Sequence, residues 1–431
     1  MLEDRFGLPL STPSTVARDA YVAGIDSVIS GVAGYRNHLG RALDADPTFA
    51  LALVALARGQ LMDGEVAVAR QAAARARELA AGASPRERSH VDALCLGIEG
   101  KPPQAMAAML RHVQSWPRDA MVIAPATSVF GLYGFSGRLE HEEELYELLA
   151  SLAPAWGEDW WFDTVLGFAA CETGRLDEAW TRLERSLARH PLNAHAEHYR
   201  THVLYERGDA DAALSLLEAF LSGLDKQSLA HCHLSWHVAL AALATGRRER
   251  AWEAYRSGVH PGGAWGPPLN VVTDAVSFLW RSELAGEARE ARLWSEIRDH
   301  ALKSFPVAGT AYADVHTLLA CVVEDDLATL DRLLGEIRQR IADDCYPPGE
   351  VVLHLADGFA AYARGDWNAS IAALERARPE AVRIGGSRAQ RDLVEFTLLA
   401  ALLKADRPED AQALAHGLDG RRPMIGVAGY A

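Results

Sequence analysis

The chain has no run of about 18 consecutive apolar residues, so no membrane-spanning helix is expected. Its first residues, MLEDRFGLPL, carry acids and no apolar stretch, so no secretory leader is expected either. Cysteine is scarce: Cys95, Cys171, Cys232, Cys321 and Cys345 are scattered, odd in number and never spaced C-x-x-C. That argues against a disulfide framework and a cysteine-only zinc site, and makes a reducing cytoplasm the expected compartment. Positive charge is also in deficit. Lys and Arg number 43 against 58 Asp and Glu, a formal net charge of −15. A chain this acidic repels a phosphate backbone, so the expected partners exclude nucleic acid as well as membrane. Alternating β-branched runs are nearly absent, whereas Ala, Leu, Glu and Arg dominate and favour helix.

What is present is hydrophobic and repetitive. Of 431 residues, 49% are hydrophobic, too long a chain for one ordinary globular core. Three turn strings punctuate the region from about 155 to 260: GRLDEA from Gly174, GDADAA from Gly208 and GRRERA from Gly246. Their glycines are 34 and 38 residues apart, which is the period of a tetratricopeptide repeat, one helix hairpin each. Leu166-Gly167 falls where such a repeat places Leu-Gly. Ala179 falls where the two helices approach most closely, and Pro191 ends the second helix by lacking an N–H. Asp46-Pro47 and Gly365-Asp366-Trp367 mark more degenerate repeats. The fold class read from these signals is an all-α solenoid of tetratricopeptide-type helix hairpins, curled into a closed superhelix with a central pocket. As one domain, 1–431, it would comprise degenerate repeats 1–154, the clearest repeats 155–260 and C-terminal repeats 269–425. The stretch GVHPGGAWGPP, Gly258 to Pro268, reads as a loop able to fold over the groove, and Gly426 to Ala431 as a frayed tail.

The chemistry lies in the histidines. His198 and His202 are four apart, and so are His233 and His237. Spacing i, i+4 puts two imidazoles on one helical face about 6 Å apart. Both pairs fall on first helices of adjacent repeats, at positions that tend to face the groove. Imidazole is a common ligand of a divalent metal, and two such pairs can supply several ligands; equally, they can hydrogen-bond to neighbours and shape the groove. Tyr199-Arg200-Thr201 between the first pair lacks the Glu of a metalloprotease H-E-x-x-H. Trp236 is a candidate ligand platform or a packing residue.

Several strings resemble the family named for tetratricopeptide repeat protein 38. They are GLPLST (Gly7–Thr12), SPRERSHV (Ser84–Val91), the tract Glu172–His202 and CHLSWH (Cys232–His237). VTDAVSFLWR (Val272–Arg281), ADVH (Ala313–His316) and GGSRAQRD (Gly385–Asp392) continue them. The resemblance spans nearly the whole chain. The family pattern falls on His90, Glu172, His198, His202, His233, Trp236, His237, Asp274, Arg281, Asp314, His316, Gln390, Arg391 and Asp392. The chain departs at Thr127-Ser128, where the family tends to have His-Asp. The resemblance implies a fold and a set of residues, not a reaction.

These observations give the expected site. His198, His202, His233, His237, Asp314 and His316 are the candidates for catalysis, with the first, second, third and fourth of these also candidate metal ligands. Trp236, Asp274, Gln390, Arg391, Asp392 and Glu172 are the candidates for ligand binding, Arg391 to hold an anionic group. The expected function is a pocket that binds a small polar ligand, with a divalent metal as a candidate cofactor and His/Asp acid–base chemistry if the site is an enzyme's. The alternative is a scaffold that binds a peptide in its groove without catalysis. Ser387 as a helix N-cap and Gly385-Gly386 as an anion cradle compete for the GGSRAQRD string.

Overall fold

The computed structural model describes residues 1–417 and 424–430. Among them the chain forms 22 α-helices; the β-structure is one antiparallel ladder pairing Leu2–Glu3 with Pro9–Leu10. The fold is a tetratricopeptide-like α-solenoid. Two compact units divide it. The first comprises 1–133, 142–199 and 224–230; the second comprises 134–141, 200–223 and 231–431. The division falls inside one continuous helix, Ala194–Arg207.

The hairpins follow the sequence punctuation. Gly174, Gly208, Gly246 and Gly365 each adopt a left-handed backbone, with φ between 71° and 79°. Each stands between two helices, as at Trp160–Glu172 and Leu176–Arg189, or Val351–Ala363 and Trp367–Ala377. A side chain at such a turn is strained, and glycine adopts it without cost. Where paired helices touch, small residues let them approach: Ala179, Ala213 and Ala251 are completely buried. In the first unit Ala69, Ala73, Ala76 and Ala80 form one buried stripe along Val66–Ala80.

First and second helices of a hairpin differ sharply. In the first unit Leu176–Arg189 buries only Ala179, Leu183 and Ser186, the face of an ordinary amphipathic helix. Its hairpin partner buries every residue from Trp161 to Glu172. The second unit repeats the pattern. His231–Ala244 is buried from His231 to Leu243, Ala311–Val323 from Ala311 to Cys321, and Pro268–Leu284 over nearly its whole length. These first helices pack in succession, and Pro268–Leu284 also packs on Arg388–Lys404. On these three helices of the second unit, nearly every polar side chain is therefore carried into the interior.

Two segments differ from expectation. The loop Gly258–Pro268 lies against the start of the His231–Ala244 helix, where the Trp265 carbonyl accepts from the Cys232 N–H at 3.2 Å. It begins as a π-turn, Tyr255–Val259, and Pro268 opens the next helix. The segment read as a frayed tail, Gly426 to Ala431, is anchored at Val427 and Ala428. Val427 is buried, as is Met424 just before the segment, and the Ala428 N–H donates to the Leu284 carbonyl at 2.8 Å. Apolar burial, not chain-end position, decides this. Residues 418–423 of the expected C-terminal repeats, and Ala431, lie outside the described residues.

Close helix approach gives a test in the second unit. A Cβ at Gly358 would lie 2.5 Å from Leu374 Cδ2, and Ser370 Oγ donates to the Gly358 carbonyl at 2.9 Å. Gly358→Ala gains up to about 1 kcal/mol of helix propensity but overpacks the contact at a cost of about 1–3 kcal/mol. A lower thermal midpoint is expected; an unchanged or higher one would show that the two helices separate freely.

Candidate metal centre and buried polar cluster

Three helices of the second unit assemble the centre. Arg200–Arg207, the second-unit part of its helix, supplies His202. His231–Ala244 supplies His233, Trp236 and His237, and Pro268–Leu284 supplies Asp274 and Arg281. His202, Trp236, His237, Asp274 and Arg281 are each at most 3% exposed, and His233 is also buried. The His202 and His237 rings lie 4.7 Å apart edge-on, and those of His233 and His237 4.8 Å apart. His198 precedes His202 by one turn on the same continuous helix. One nitrogen from each of His202, His233 and His237 lies within 4.8 Å of the others. The second i, i+4 pair therefore meets His202 of the first.

Burial favours the neutral form of two of these imidazoles, His202 and His237. Burial pushes His202 down to about 3, with His233 adding to the shift. Burial again, then His202, His233 and Arg281, holds His237 well below the usual imidazole range. His233 Nδ1 is 2.8 Å from Asp274 Oδ2. Burial raises the Asp274 carboxyl and His233 partly offsets it. A carboxylate on Nδ1 fixes an imidazole's tautomer and makes Nε2 the nitrogen a metal would use. Trp236 stacks on His233 at 5.1 Å, interplanar angle 14°. It is both a packing residue, fully buried, and a wall of the centre.

Farther along the same layer, Arg281 Nη2 donates to the Ala389 carbonyl at 2.6 Å, in the first turn of Arg388–Lys404. Its guanidinium lies 5.8 Å from the Trp236 ring and 5.0 Å from that of Phe396. Sequence reasoning placed Arg281 in a string but gave it no role, because nothing in the sequence distinguishes a central arginine from a surface one. His316 Nδ1 donates to the Tyr312 carbonyl at 2.7 Å, and burial, with Arg281 adding to it, takes the ring down to about 4.

Other expected site residues are placed elsewhere. Asp314 is two residues from His316 and accepts from Tyr346 Oη at 2.7 Å and from the Gly309 N–H; burial raises its carboxyl to about 6. Asp392 accepts from Tyr205 Oη at 2.9 Å. Arg391 donates to the Gly386 carbonyl. Glu172 lies in the first unit, where its charge, after burial, helps raise the Tyr199 hydroxyl. Ser387 is an N-cap, and with Gln390 it forms a reciprocal capping box: the Ser387 N–H donates to Gln390 Oε1 at 2.9 Å. Gly386, at φ +81°, is needed because a Cβ there would fall 2.6 Å from the Tyr312 ring. Thr127 only back-bonds to the Ala124 carbonyl within its own helix.

Structural comparison relates the chain to solved helical-repeat proteins. A human IFIT1 dimer with PPP-AAAA aligns over 98% of this chain and 94% of its own, at 13% identity and a TM-score of 0.42. Naa15/Naa10 bound to HypK-THB aligns over 93% of this chain and 68% of its own, at 14% identity and a TM-score of 0.25. Both are of tetratricopeptide type, and the likeness is one of fold. No family model matches the chain. The exclusion of nucleic acid as a partner is withdrawn: IFIT1, a repeat protein of this kind, is seen with the RNA PPP-AAAA. Net charge sums the whole surface, whereas a ligand meets only the local field of the wall it touches. No helix among the described residues is long and apolar enough to cross a membrane.

The first unit holds a second ionic cluster that the sequence did not reveal. Asp119 Oδ2 takes three partners: Arg86 Nη1 at 2.8 Å, His90 Nδ1 at 2.9 Å and His112 Nε2 at 3.1 Å. All four residues are buried. Burial would raise the Asp119 carboxyl, but His90, His112 and Arg86 outweigh it and hold it well below the usual range. Such a group stabilises the fold above its unfolded value, about 3.9, and loses that contribution as pH falls below it. Asp119→Asn should therefore cost about 3 kcal/mol at pH 7, and the gap from wild type should shrink between pH 4 and pH 2.5. Denaturant midpoints of the two proteins across that range check it; a pH-independent gap would remove the ionic account.

Proposed function

We propose that the histidine centre of the second unit binds a divalent transition metal, and that the polar interior around it takes a small polar ligand. The observation that carries this reading is the pair His233 Nδ1–Asp274 Oδ2, 2.8 Å apart, inside a group of three imidazoles, His202, His233 and His237. Packing alone has no need to gather three imidazoles, whereas a borderline-soft metal does. Tetrahedral zinc, with nitrogens at about 2.0–2.1 Å, needs donor atoms roughly 3.3 Å apart. Spacing of up to 4.8 Å would contract by about 1.5 Å on binding. A bound metal would supply Lewis acidity or an activated water. Asp274 would orient His233 and compensate part of the metal's charge. His316 is the candidate for proton transfer, and Gln390 and Trp236 for ligand contact.

The reading extends to the whole chain. It would be a member of the tetratricopeptide repeat protein 38 family, one solenoid over 1–431, at work in the cytoplasm. The shared strings support the family, and the five free cysteines, four of them buried, support a reducing compartment.

Metal analysis of the protein reconstituted with zinc tests the proposal. About one equivalent is expected in wild type, and little in the double variant His233→Ala/His237→Ala. Asp274→Asn should retain the fold and weaken metal affinity about 10- to 100-fold. Wild type that takes up no metal, or the same amount as the double variant, overturns it and returns the chain to a peptide-binding scaffold.

A further inference from the structure

We infer that the ligand of this interior carries an oxyanion, a carboxylate or phosphate group, and that Arg281, Trp236 and Gln390 receive it. This rests on the polar-ligand reading above and deepens it. Arg281 is a guanidinium only 3% exposed. Among the described residues no carboxylate is in ion-pair contact with it. Its recorded partners are the Ala389 and Gln390 carbonyls, at 2.6 and 3.4 Å, and two aromatic faces. Its Nε–H is buried and has no acceptor.

Burying a charge without a counter-ion costs several kcal/mol, which is why buried arginines pair with acids. The Asp119 cluster of the first unit shows the ordinary solution in this same chain, a buried arginine directly on a buried carboxylate. Arg281 departs from it. Two of its neighbours share the deficit. Trp236 Nε1 and Gln390 Nε2 are both buried donors without an acceptor, and each residue is at most 1% exposed. Trp236 is the aromatic face beside the guanidinium, and the Gln390 carbonyl touches it. Three adjacent buried side chains thus leave donors unmet and leave no acceptor unmet. A bound oxyanion satisfies all three and neutralises the guanidinium, in the bidentate manner arginine favours. The first turn of Arg388–Lys404, where Gln390 sits, adds the positive end of a helix dipole. The side chain roles differ: Gln390 Oε1 holds the capping box while its Nε2 is left for ligand. Stacked on His233 and 5.8 Å from the Arg281 guanidinium, Trp236 would place the oxyanion beside the histidine centre.

Thermal midpoints of the full chain, titrated with inorganic phosphate and separately with malonate at constant ionic strength, test this. A saturable rise with at least one of them, absent with chloride, is expected. The anion giving the larger rise names the class, phosphate or carboxylate. Gln390→Glu keeps the capping box, since Glu serves it as well as Gln, but sets a negative charge against the anion; affinity should fall about 100-fold. Trp236→Phe keeps the ring and removes the donor, with a loss of about 10-fold. These two decide the matter even if Arg281→Gln does not fold. His233→Ala/His237→Ala should lose metal yet keep the anion response. A wild type that binds metal but neither anion overturns this inference and leaves the metal reading standing. An anion response unchanged in Gln390→Glu and Trp236→Phe overturns it as well.

Discussion

The polar interior of the second unit depends on one constraint: the first helices that build it are packed on nearly all sides. His231–Ala244 and Ala311–Val323 have no solvent face over most of their length. A histidine or arginine there cannot escape to water, so it must find partners inside or carry an energetic penalty. The second helices carry no such obligation, and their arginines pair with acids at the surface, as Arg332 does with Glu336. The same repeat that supplies stability therefore supplies a place where polar chemistry is forced together.

Two buried arginines meet that obligation differently. Arg86 has a counter-ion: Asp119 Oδ2 receives it together with two histidines, although Arg86 Nε and His90 Nε2 find no acceptor. Arg281 has no carboxylate against it and donates to backbone carbonyls. The histidine centre has its own arrangement. His233 is tied to Asp274, whereas burial and mutual repulsion keep His202 and His237 neutral, the form in which imidazole binds metal.

The corrections share a physical origin. Net charge of −15 argued against nucleic acid, yet it is a sum over the surface and does not describe any one wall. Chain-end position argued for a loose tail, yet Val427 within it is apolar and buried. In both cases a global property stood in for a local one. Arg281 and Asp119 passed unassigned for the complementary reason. Their significance lies in what surrounds them, and neighbours more than 100 residues away, such as Ala389 for Arg281, leave no trace in local spacing.

Local signals were enough for the architecture. Glycine at a fixed period, alanine at the helix contact and proline after the second helix are requirements of backbone geometry, and geometry of that kind is written within one hairpin. The i, i+4 pairs were also legible, because a helix by itself puts such residues on one face. Whether His202 meets His237, whether Asp274 reaches His233, and that Asp314 turns to Tyr346 instead of His316 were decided only by tertiary packing. Those contacts join different hairpins, and their geometry is set by how one helix layer stacks on the next.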